Sequence, residues 1–353
     1  MAPAAFPPEL PLPPHFNGDQ VSLIRRIPSQ SLASRAQTWT QEHNISPASQ
    51  DTFRLALVLI DVQNTFCIPG FELYVGGRSG TGAVDDNRRL AGFIYRNLNR
   101  ISQIVATMDT HFAVQIFHPI YLVDSNGANP DPHTAISARS IEQGEWLFNP
   151  LLAASLGITP DYGQAQLLHY VRQLEAQGKY ALTIWPYHAM LGGIGHALVP
   201  GIEEAIFFHT IARSAQPQMI LKGDSPFTES YSAVGPEVLQ DPAGKPLGQR
   251  KEDLPRLVEE CDAVILCGQA KSHCVAWTVA DLLDSLNQRN PNLIHKIYLL
   301  EDCTSPVVVP GAADYTAEAD AAFERFRQAG MHVVRSTDPI ASWPDTPNWV
   351  AHV

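Results

Sequence analysis

The chain has 353 residues, five cysteines and a formal net charge of −12 with its histidines neutral. This length is sufficient for one large α/β domain or two modest ones. The acidic balance, without a basic stripe, argues against nucleic acid or an anionic membrane surface as a partner. No stretch is apolar over the ~20 residues that a membrane span needs, and the N-terminus lacks a basic region followed by an apolar run. We therefore expect neither export nor membrane insertion.

The cysteines show neither the close paired spacing of a zinc ribbon nor that of a redox motif, and their number is odd. They are Cys67, Cys261, Cys267, Cys274 and Cys303. Reduced thiols in a cytoplasmic protein are the expectation.

The first part of the chain is predicted to lie outside the main domain. Residues 1 to about 14 are dense in proline and predict an extended or disordered arm, and the polar stretch 29–50 has no sustained period. The ordered core is expected to begin near Thr52. This divides the chain into a Pro-rich and polar extension, 1–51, and one domain, 52–345.

From Thr52 onward, apolar runs of strand length alternate with amphipathic segments of helix length. The predicted strands are 55–61, 103–108, 180–184, 218–222, 263–267, 295–300 and 331–335, and the predicted helices begin near 85 and cover 164–177, 202–213, 253–260, 274–288 and 316–329. Strands this apolar, separated by helices, predict an α/β fold with a parallel sheet of about six strands covered by helices on both faces.

Residues 119–179 interrupt this alternation and predict an insertion of about 60 residues. The segment contains loop-type sequence and a helix, and its aromatic residues Trp146, Phe148 and Tyr162 indicate that it packs. Long irregular segments in compact domains are usually lids, binding loops or disordered regions.

Cys274 is the candidate nucleophile. An apolar run, 264–267, breaks at Gly268, and Cys274 then begins an amphipathic helix. A helix N-terminus offers unpaired N–H groups and about half a positive charge, which favour a thiolate and can hold an oxyanion. The alternative is an inert cysteine of the core.

Two other predicted strands end in residues that complete a thiol-based hydrolase, Asp61 and Lys222. The carboxyl ends of parallel strands share one edge of a sheet, so Asp61, Lys222 and Cys274 are expected to converge there. The alternative for Asp61 is a residue that caps the turn after its strand. The alternative for Lys222 is a solvated lysine at the end of its strand.

A second set of residues at strand ends has the composition of a metal site. Asp109 and His111 follow the strand that ends at Met108, and His188 follows the strand 180–184. One carboxylate and two imidazoles suit Zn²⁺, Fe²⁺ or Mn²⁺, with Zn²⁺ the first expectation. His118 is either a further ligand or second-shell partner, or a loop histidine.

These segments resemble the isochorismatase-like cysteine hydrolases, and within them the nicotinamidase branch. The motifs occur in the family's order over residues 52 to 340, outside the insertion: Leu59-Ile-Asp61-Val-Gln-Asn, Met108-Asp109-Thr-His111, Trp185-Pro-Tyr-His188, Leu221-Lys222-Gly, Cys267-Gly-Gln-Ala-Lys-Ser-His-Cys274 and Glu301-Asp302-Cys-Thr-Ser.

The resemblance implies a six-stranded parallel sheet flanked by helices and a catalytic triad of Asp61, Lys222 and Cys274. It further implies a cis peptide bond between Gln269 and Ala270, and an oxyanion hole formed by the N–H groups of Ala270 and Cys274. Asp109, His111 and His188 would then bind the metal ion that orients a substrate ring nitrogen.

The predicted activity is hydrolysis of the C–N bond of a small heterocyclic carboxamide through a cysteine thioester. Met108, Thr110 and Lys271 depart from the usual family pattern and, with the insertion, favour a larger or differently shaped amide. The alternatives are a hydrolase acting on a carbamoyl or ureido compound or on a vinyl ether, and a binding homologue without turnover. Self-association is expected.

Overall fold

The computed structural model describes residues 8–178, 180–311 and 313–346. Its strands are β1 (Leu55–Ile60), β2 (Ile101–Asp109), β3 (Leu122–Val123), β4 (Ala135–Ile136), β5 (Leu147–Phe148), β6 (Leu182–Thr183), β7 (Gln218–Lys222), β8 (Ala263–Gly268), β9 (Ile297–Leu300), β10 (Val308–Val309), β11 (Ala313–Asp314) and β12 (His332–Val334). Its helices are α1 (Ser29–Glu42), α2 (Asn64–Cys67), α3 (Gly82–Arg96), α4 (Ala138–Glu142), α5 (Ala153–Leu156), α6 (Pro160–Ala176), α7 (Pro200–Arg213), α8 (Asp253–Glu260), α9 (Cys274–Arg289) and α10 (Thr316–Gln328).

Six strands form one parallel sheet in the order β12, β9, β8, β1, β2, β7. The central strand β1 is buried along its whole length, and its alternate side chains belong to two different cores. Leu55, Leu57 and Leu59 pack with α1, α3 and α7, and the other three residues pack with the core that includes α8, α9 and α10. A strand that is buried on both faces has a continuous apolar sequence, as β1 does. The predicted α/β fold, with a parallel sheet covered by helices on both faces, is confirmed.

The strand predicted over 180–184 does not join this sheet. Only Leu182 and Thr183 are extended, and they form β6, which pairs antiparallel with β4. The segment therefore belongs to the insertion and not to the parallel sheet, although its apolar composition is compatible with a strand in either place. A short apolar run alone does not reveal its partner.

The expectation that order begins near Thr52 is wrong. Helix α1 lies within 29–50 and packs against α7 with Leu32, Ala36 and Trp39 buried. These three residues are spaced as one helix face, but they are too few among polar neighbours to give a sustained period. The division of the chain at residues 51 and 52 stays a prediction.

A buried arginine connects the N-terminal extension to the domain by hydrogen bonds. Arg213, at the end of α7, is 1% exposed and donates to the carbonyl oxygen of Ser46 and to the carboxylate of Asp51. A buried guanidinium needs such partners because an uncompensated charge in the interior is strongly destabilising.

The insertion has a core of its own. Strand β3 pairs antiparallel with β5, and Tyr121, Phe148 and Tyr170 are buried together. At its end, the hydroxyl group of Tyr180 donates to the carbonyl oxygen of Ser272, two residues before α9 (2.9 Å). The insertion therefore packs as expected and reaches the N-terminus of α9.

No helix within the described residues is long and apolar enough to cross a bilayer.

Candidate active site

The carboxyl ends of β8, β1, β2 and β7 lie side by side, because these four strands are consecutive in the sheet. Asp61 follows β1, Asp109 ends β2 and Lys222 ends β7. The chain leaving β8 turns at Gly268 and enters α9 at Cys274. One edge of the sheet thus gathers the predicted nucleophile, the predicted triad partners and the first predicted metal ligand.

Lys222 is the common partner of these groups. Its Nζ lies 2.9 Å from Oδ2 of Asp61, 3.0 Å from Oδ1 of Asp109 and 3.7 Å from Sγ of Cys274. It also donates to the carbonyl oxygen of Ser230 at 2.8 Å. Burial disfavours the ammonium, but the Asp109 and Asp61 carboxylates outweigh this and hold the pKa of Lys222 well above its usual range. Lys222 is a buried cation and not a solvated lysine.

Asp61 is fully buried, which gives its carboxylate the character of a base. Burial raises the pKa of Asp61, although the Lys222 ammonium opposes the shift. Oδ1 accepts a hydrogen bond from the hydroxyl group of Thr107 at 2.5 Å. A carboxylate with a raised pKa accepts a proton more readily than an ordinary aspartate does.

Cys274 is the first residue of α9 and is nearly buried. Burial raises the pKa of its thiol well above the usual range, and Lys222 opposes this only in part. Burial therefore outweighs the nearby Lys222 ammonium, and the resting group is a thiol. Such a thiol needs a base at the moment of attack, and Asp61 is beside it.

The segment before Cys274 offers two backbone donors. The peptide bond between Gln269 and Ala270 is cis, as the resemblance implied. The side chain of Gln269 donates to Oδ2 of Asp86 at 2.8 Å, which anchors the turn. Among the described residues, neither the N–H of Ala270 nor that of Cys274 donates to another backbone carbonyl. Both are available to a developing oxyanion.

Gly268 is required for this turn. Its φ is +123°, and a Cβ added there would lie 2.0 Å from the carbonyl oxygen of Ile60. We expect Gly268→Ala to lower the free energy of unfolding by more than about 3 kcal/mol, since backbone strain and overpacking act together.

Chemical denaturation of Gly268→Ala and of Gly80→Ala tests this expectation. Gly80 also has a positive φ, +79°, but no atom of the described part of the chain lies within 4 Å of its added Cβ. The control should lose only about 1 kcal/mol. Equal losses in the two variants would contradict the role given to the contact with Ile60.

Asp109, His111 and His188 form the second predicted set. They are buried, and one ligand atom from each lies within 4.8 Å of the others. Oδ2 of Asp109 is 2.9 Å from Nε2 of His111 and 3.6 Å from Nε2 of His188. Burial disfavours the Asp109 carboxylate, but His111 and Lys222 outweigh it and hold the pKa of Asp109 well below its usual range.

The other ring nitrogens of the two histidines show that this set fits a cation. Nδ1 of His111 is 2.9 Å from the carbonyl oxygen of Gly223, and Nδ1 of His188 is 2.8 Å from that of Pro186. Each Nδ1 faces a carbonyl oxygen and donates to it, so Nε2 is the nitrogen of each ring that would be available to a cation on the Asp109 side. A carboxylate oxygen and two ring nitrogens placed in this way form a ligand set for a divalent ion.

Gly223 permits this arrangement. Its φ is +85°, and an added Cβ would lie 2.7 Å from Cε1 of His111 and 2.9 Å from Oδ1 of Asp109. The glycine directly after Lys222 is thus a sequence signal for the approach of the two sets.

His118 lies beside the metal set and is fully buried. Its ring is 5.9 Å from that of His111 and 5.8 Å from that of His188, between centroids. Nδ1 is 3.2 Å from the carbonyl oxygen of Ala113, and Nε2 has no hydrogen-bond partner among the residues that the structure describes. Burial lowers the pKa of His118 to about 3, so the ring is neutral. Its role as a further ligand or second-shell group stays a prediction.

A cavity of about 260 Å³ opens beside both sets and contains Asp109, His188, Ala270 and Cys274 in its wall. The rest of the wall is mainly apolar and aromatic: Phe66, Phe71, Leu73, Tyr74, Val75, Trp185, Tyr231, His273, Val307, Val308, Val309 and Pro310, with Glu72, His133 and Glu229 as further polar residues. A mainly apolar pocket with a few convergent polar groups suits a small organic ligand.

Sequence reasoning did not identify several of these wall residues. Trp185 appeared only within a motif, and Glu229, Tyr231 and His133 were not singled out. These residues lie outside the sheet strands and carry no periodic signal, although the Glu229-Ser-Tyr231 segment lies in the loop that follows β7. His133 reaches the wall only because the insertion folds over this edge.

No protein-family profile and no curated protein sequence matches the chain. Solved structures similar to it include a nicotinamidase/pyrazinamidase from Acinetobacter baumanii, with 21% identity, a TM-score of 0.48, and coverage of 82% of this chain and 99% of that one. The yeast nicotinamidase has 17% identity, a TM-score of 0.48 and coverage of 79% and 99%. The pyrazinamidase of Pyrococcus horikoshii in complex with zinc has 17% identity, a TM-score of 0.42 and coverage of 80% and 99%. At these identities the similarity concerns the overall fold.

Proposed function

We propose that the chain is a metal-assisted cysteine amidohydrolase that cleaves the C–N bond of a small heterocyclic carboxamide, as nicotinamidases do. The observation that carries this proposal is the position of Nζ of Lys222, which contacts Asp61, Asp109 and Cys274 at the wall of one cavity. An inert core cysteine has no need of a buried ion-paired lysine and a buried carboxylate beside it.

In the first half-reaction, Asp61 takes the proton of the Cys274 thiol as sulfur attacks the amide carbonyl carbon. The carbonyl oxygen becomes an oxyanion, to which the N–H groups of Ala270 and Cys274 donate. When the C–N bond breaks, Asp61 returns the proton to the leaving nitrogen. The products of this step are ammonia and a thioester on Cys274.

In the second half-reaction, Asp61 takes a proton from a water molecule that attacks the thioester carbonyl. The C–S bond breaks and sulfur receives the proton, so the carboxylic acid leaves and the thiol is restored. Lys222 remains an ammonium throughout, because Asp61 and Asp109 hold its charge, and it stabilises the negative charge on whichever group carries it.

Asp109, His111 and His188 would bind the metal ion. Imidazole and carboxylate ligands favour Zn²⁺, with Fe²⁺ and Mn²⁺ as alternatives. A bound ion supplies a Lewis acid that orients a basic atom of the substrate, such as a ring nitrogen.

Ammonia release from purified, metal-analysed protein tests the proposal on a carboxamide panel headed by nicotinamide and pyrazinamide. We expect release with at least one ring amide and a fall of about tenfold or more after chelation, restored by added Zn²⁺. Release that resists chelation would contradict the role of the metal. No release from any carboxamide by metal-loaded protein with a titratable Cys274 thiol would contradict the amidohydrolase itself.

A carbamoyl or ureido substrate is the second candidate. The insertion contributes His133 to the cavity wall, so the wall contains a residue that the same fold without the insertion would lack. The same panel should therefore contain ureido compounds.

All five cysteines are free in the structure, which accords with a reducing compartment, and we place the enzyme in the cytoplasm. Self-association stays a prediction.

A further inference from the structure

The turn that contains the Ala270 N–H is held in place by side chains that the proposed mechanism does not use. Ala270 follows Gln269, which is 1% exposed. The backbone N–H of Gln269 donates to the carbonyl oxygen of Ile60 at 2.8 Å, so this residue is fixed to the end of β1. A buried carboxamide side chain needs hydrogen-bond partners of its own, and these come from two other parts of the fold.

Asp86, in α3, is the partner of the Gln269 amide nitrogen. Nε2 of Gln269 donates to Oδ2 of Asp86 at 2.8 Å. Both side chains are nearly fully buried, so water does not compete for this hydrogen bond. The two residues are 183 positions apart in the sequence. The contact therefore connects α3 directly to the turn that precedes Cys274.

Arg89, one turn further along α3, holds the Asp86 carboxylate. Its Nη2 donates to Oδ1 of Asp86 at 2.9 Å, so each oxygen of the carboxylate has its own donor. Its Nε donates to the carbonyl oxygen of Asp302 at 2.5 Å, which connects α3 to the segment after β9. A hydrogen bond from a guanidinium to a carboxylate is stronger than one between neutral groups. The acceptor that Gln269 uses is thus itself fixed.

The segment after β9 holds the other side of the turn. The N–H of Ser305 donates to Oε1 of Gln269 at 3.4 Å, and the carbonyl oxygen of Ser305 accepts from the N–H of Lys271 at 2.8 Å. Ala270 lies between these two residues, and its carbonyl oxygen accepts from the N–H of His273 at 3.0 Å. The N–H of Ala270 has no backbone acceptor within the described chain and stays available at the cavity wall.

We propose that Asp86 is a positioning residue for amide hydrolysis, which fixes the Gln269 side chain and thereby aims the Ala270 N–H at the developing oxyanion. The inference rests on the proposed function. An oxyanion donor is effective only when it is oriented before the negative charge develops, and misplacement of such a group by about 1 Å costs about a hundredfold in rate. Asp86 does not line the cavity, so it acts through Gln269 and not on the substrate.

Two substitutions at Asp86 separate the hydrogen bond from the presence of a side chain. Asp86→Asn keeps an acceptor oxygen for Gln269 in nearly the same shape, whereas Asp86→Ala removes the acceptor. We expect Asp86→Asn to retain kcat for nicotinamide within about threefold. We expect Asp86→Ala to lower kcat by about tenfold or more with KM within about twofold, because the Ala270 N–H acts on charge that develops in the transition state.

A double-mutant cycle tests whether Asp86 acts through Gln269. Gln269→Leu removes the other partner of the same hydrogen bond and keeps a side chain of similar size. If the two residues act through one contact, the double variant with Asp86→Ala should lose no more kcat than the more damaged single variant. A loss equal to the product of the two single losses would show that Asp86 acts by another route.

Binding of an aldehyde tests the orientation of the donor without turnover. In the adduct of nicotinaldehyde, the sulfur of Cys274 bonds to the aldehyde carbon, Asp61 takes the thiol proton, and the carbonyl oxygen becomes an oxyanion beside the Ala270 N–H. Asp86→Ala should bind this aldehyde about tenfold more weakly than the wild type does. Calorimetry in a Cys274→Ala background should show the same nicotinamide affinity with and without Asp86→Ala.

Asp51→Ala is the matched control for a general loss of stability. Asp51 also pairs with an arginine, Arg213, but it precedes β1, and the hydroxyl group of Ser102 at the start of β2 donates to it. It therefore lies at the edge of the sheet opposite Cys274. Asp51→Ala should lower the midpoint of thermal unfolding but leave kcat and the affinity for nicotinaldehyde unchanged.

The outcomes distinguish this inference from the proposed function. If the wild type releases ammonia and Asp86→Ala has the same kcat, or if Asp51→Ala loses as much kcat as Asp86→Ala, the positioning role is wrong and the amidohydrolase stands. Equal weakening of nicotinaldehyde and nicotinamide binding would assign Asp86 to the general shape of the cavity and would also overturn the role. If the wild type releases no ammonia, the proposed function fails, and the aldehyde affinities alone decide on Asp86.

Discussion

Cys274→Ala is expected to lower amide hydrolysis by about four orders of magnitude or more. The thioester cannot form without this sulfur, and no other cysteine lines the cavity within the described part of the chain. Asp61 would retain a position from which to activate water directly, and the N–H group of residue 274 would remain in the backbone. The residual rate should therefore be that of attack by water assisted only by Asp61 and the backbone N–H groups.

The matched control is Cys261→Ala. Cys261 is also buried, and burial also raises its pKa, but it follows α8 and lies outside the cavity. Ammonia release should be unchanged in this variant. Thermal unfolding of both variants should show that each is folded, because each loses one sulfur atom from a packed site. Full activity in Cys274→Ala would assign the chemistry to another nucleophile.

The parallel sheet and the convergence of its strand ends were predictable because the relevant signals are local. Asp61, Asp109 and Lys222 each lie at the end of a predicted strand, and a parallel sheet brings such ends to one edge. Gly223 marks the place where the backbone approaches the side chains of His111 and Asp109, and Gly268 marks the place where it approaches the backbone of Ile60. The sequence could not supply the state of the thiol, since burial of Cys274 is a property of the folded protein.

Other features depended on partners that are distant in sequence. Helix α1 exposes most of its residues and is stabilised by packing of Leu32, Ala36 and Trp39 against α7, so its own sequence has little periodicity. Strand β6 looked like a sheet strand until β4 was known to pair with it. These failures arise because tertiary packing, and not local propensity, decides between alternatives for short segments.

The wall of the cavity was the least predictable part of the site. His133 comes from the insertion, whereas Trp185, Glu229 and Tyr231 follow β6 and β7 in irregular backbone. Each residue type is common in a core, and only their meeting at one cavity distinguishes them. A lone buried glutamate in a loop carries no sequence signal until its neighbouring carboxyl groups are known.

The second large effect is expected from the metal ligands. His188→Ala should reduce the bound metal from stoichiometric to near zero and abolish chelator-sensitive hydrolysis, because two protein ligands bind a divalent ion far more weakly than three. The fold should persist. The His188 ring is nearly buried, but its partners are one carbonyl oxygen and Asp109, so its loss leaves no unpaired charge in the core.

Asp109→Ala should lose the metal and be destabilised as well. The Asp109 carboxylate is 3.0 Å from Nζ of Lys222, so its removal leaves a buried ammonium with Asp61 as its only carboxylate partner among the described residues. Breaking a buried ion pair costs about 3–5 kcal/mol. The two variants should therefore differ in the free energy of unfolding although both lack metal.

His196→Ala is the matched control for both variants. Its Nε2 is 2.9 Å from the hydroxyl oxygen of Thr110, and it lies outside the group of three ligands. Metal analysis by mass spectrometry and chemical denaturation, applied to the three variants, give independent readouts of binding and stability. Full metal content in His188→Ala would place the ion elsewhere. Equal stability of Asp109→Ala and His188→Ala would show that Lys222 does not depend on Asp109, and the link between the metal set and the catalytic set would be lost.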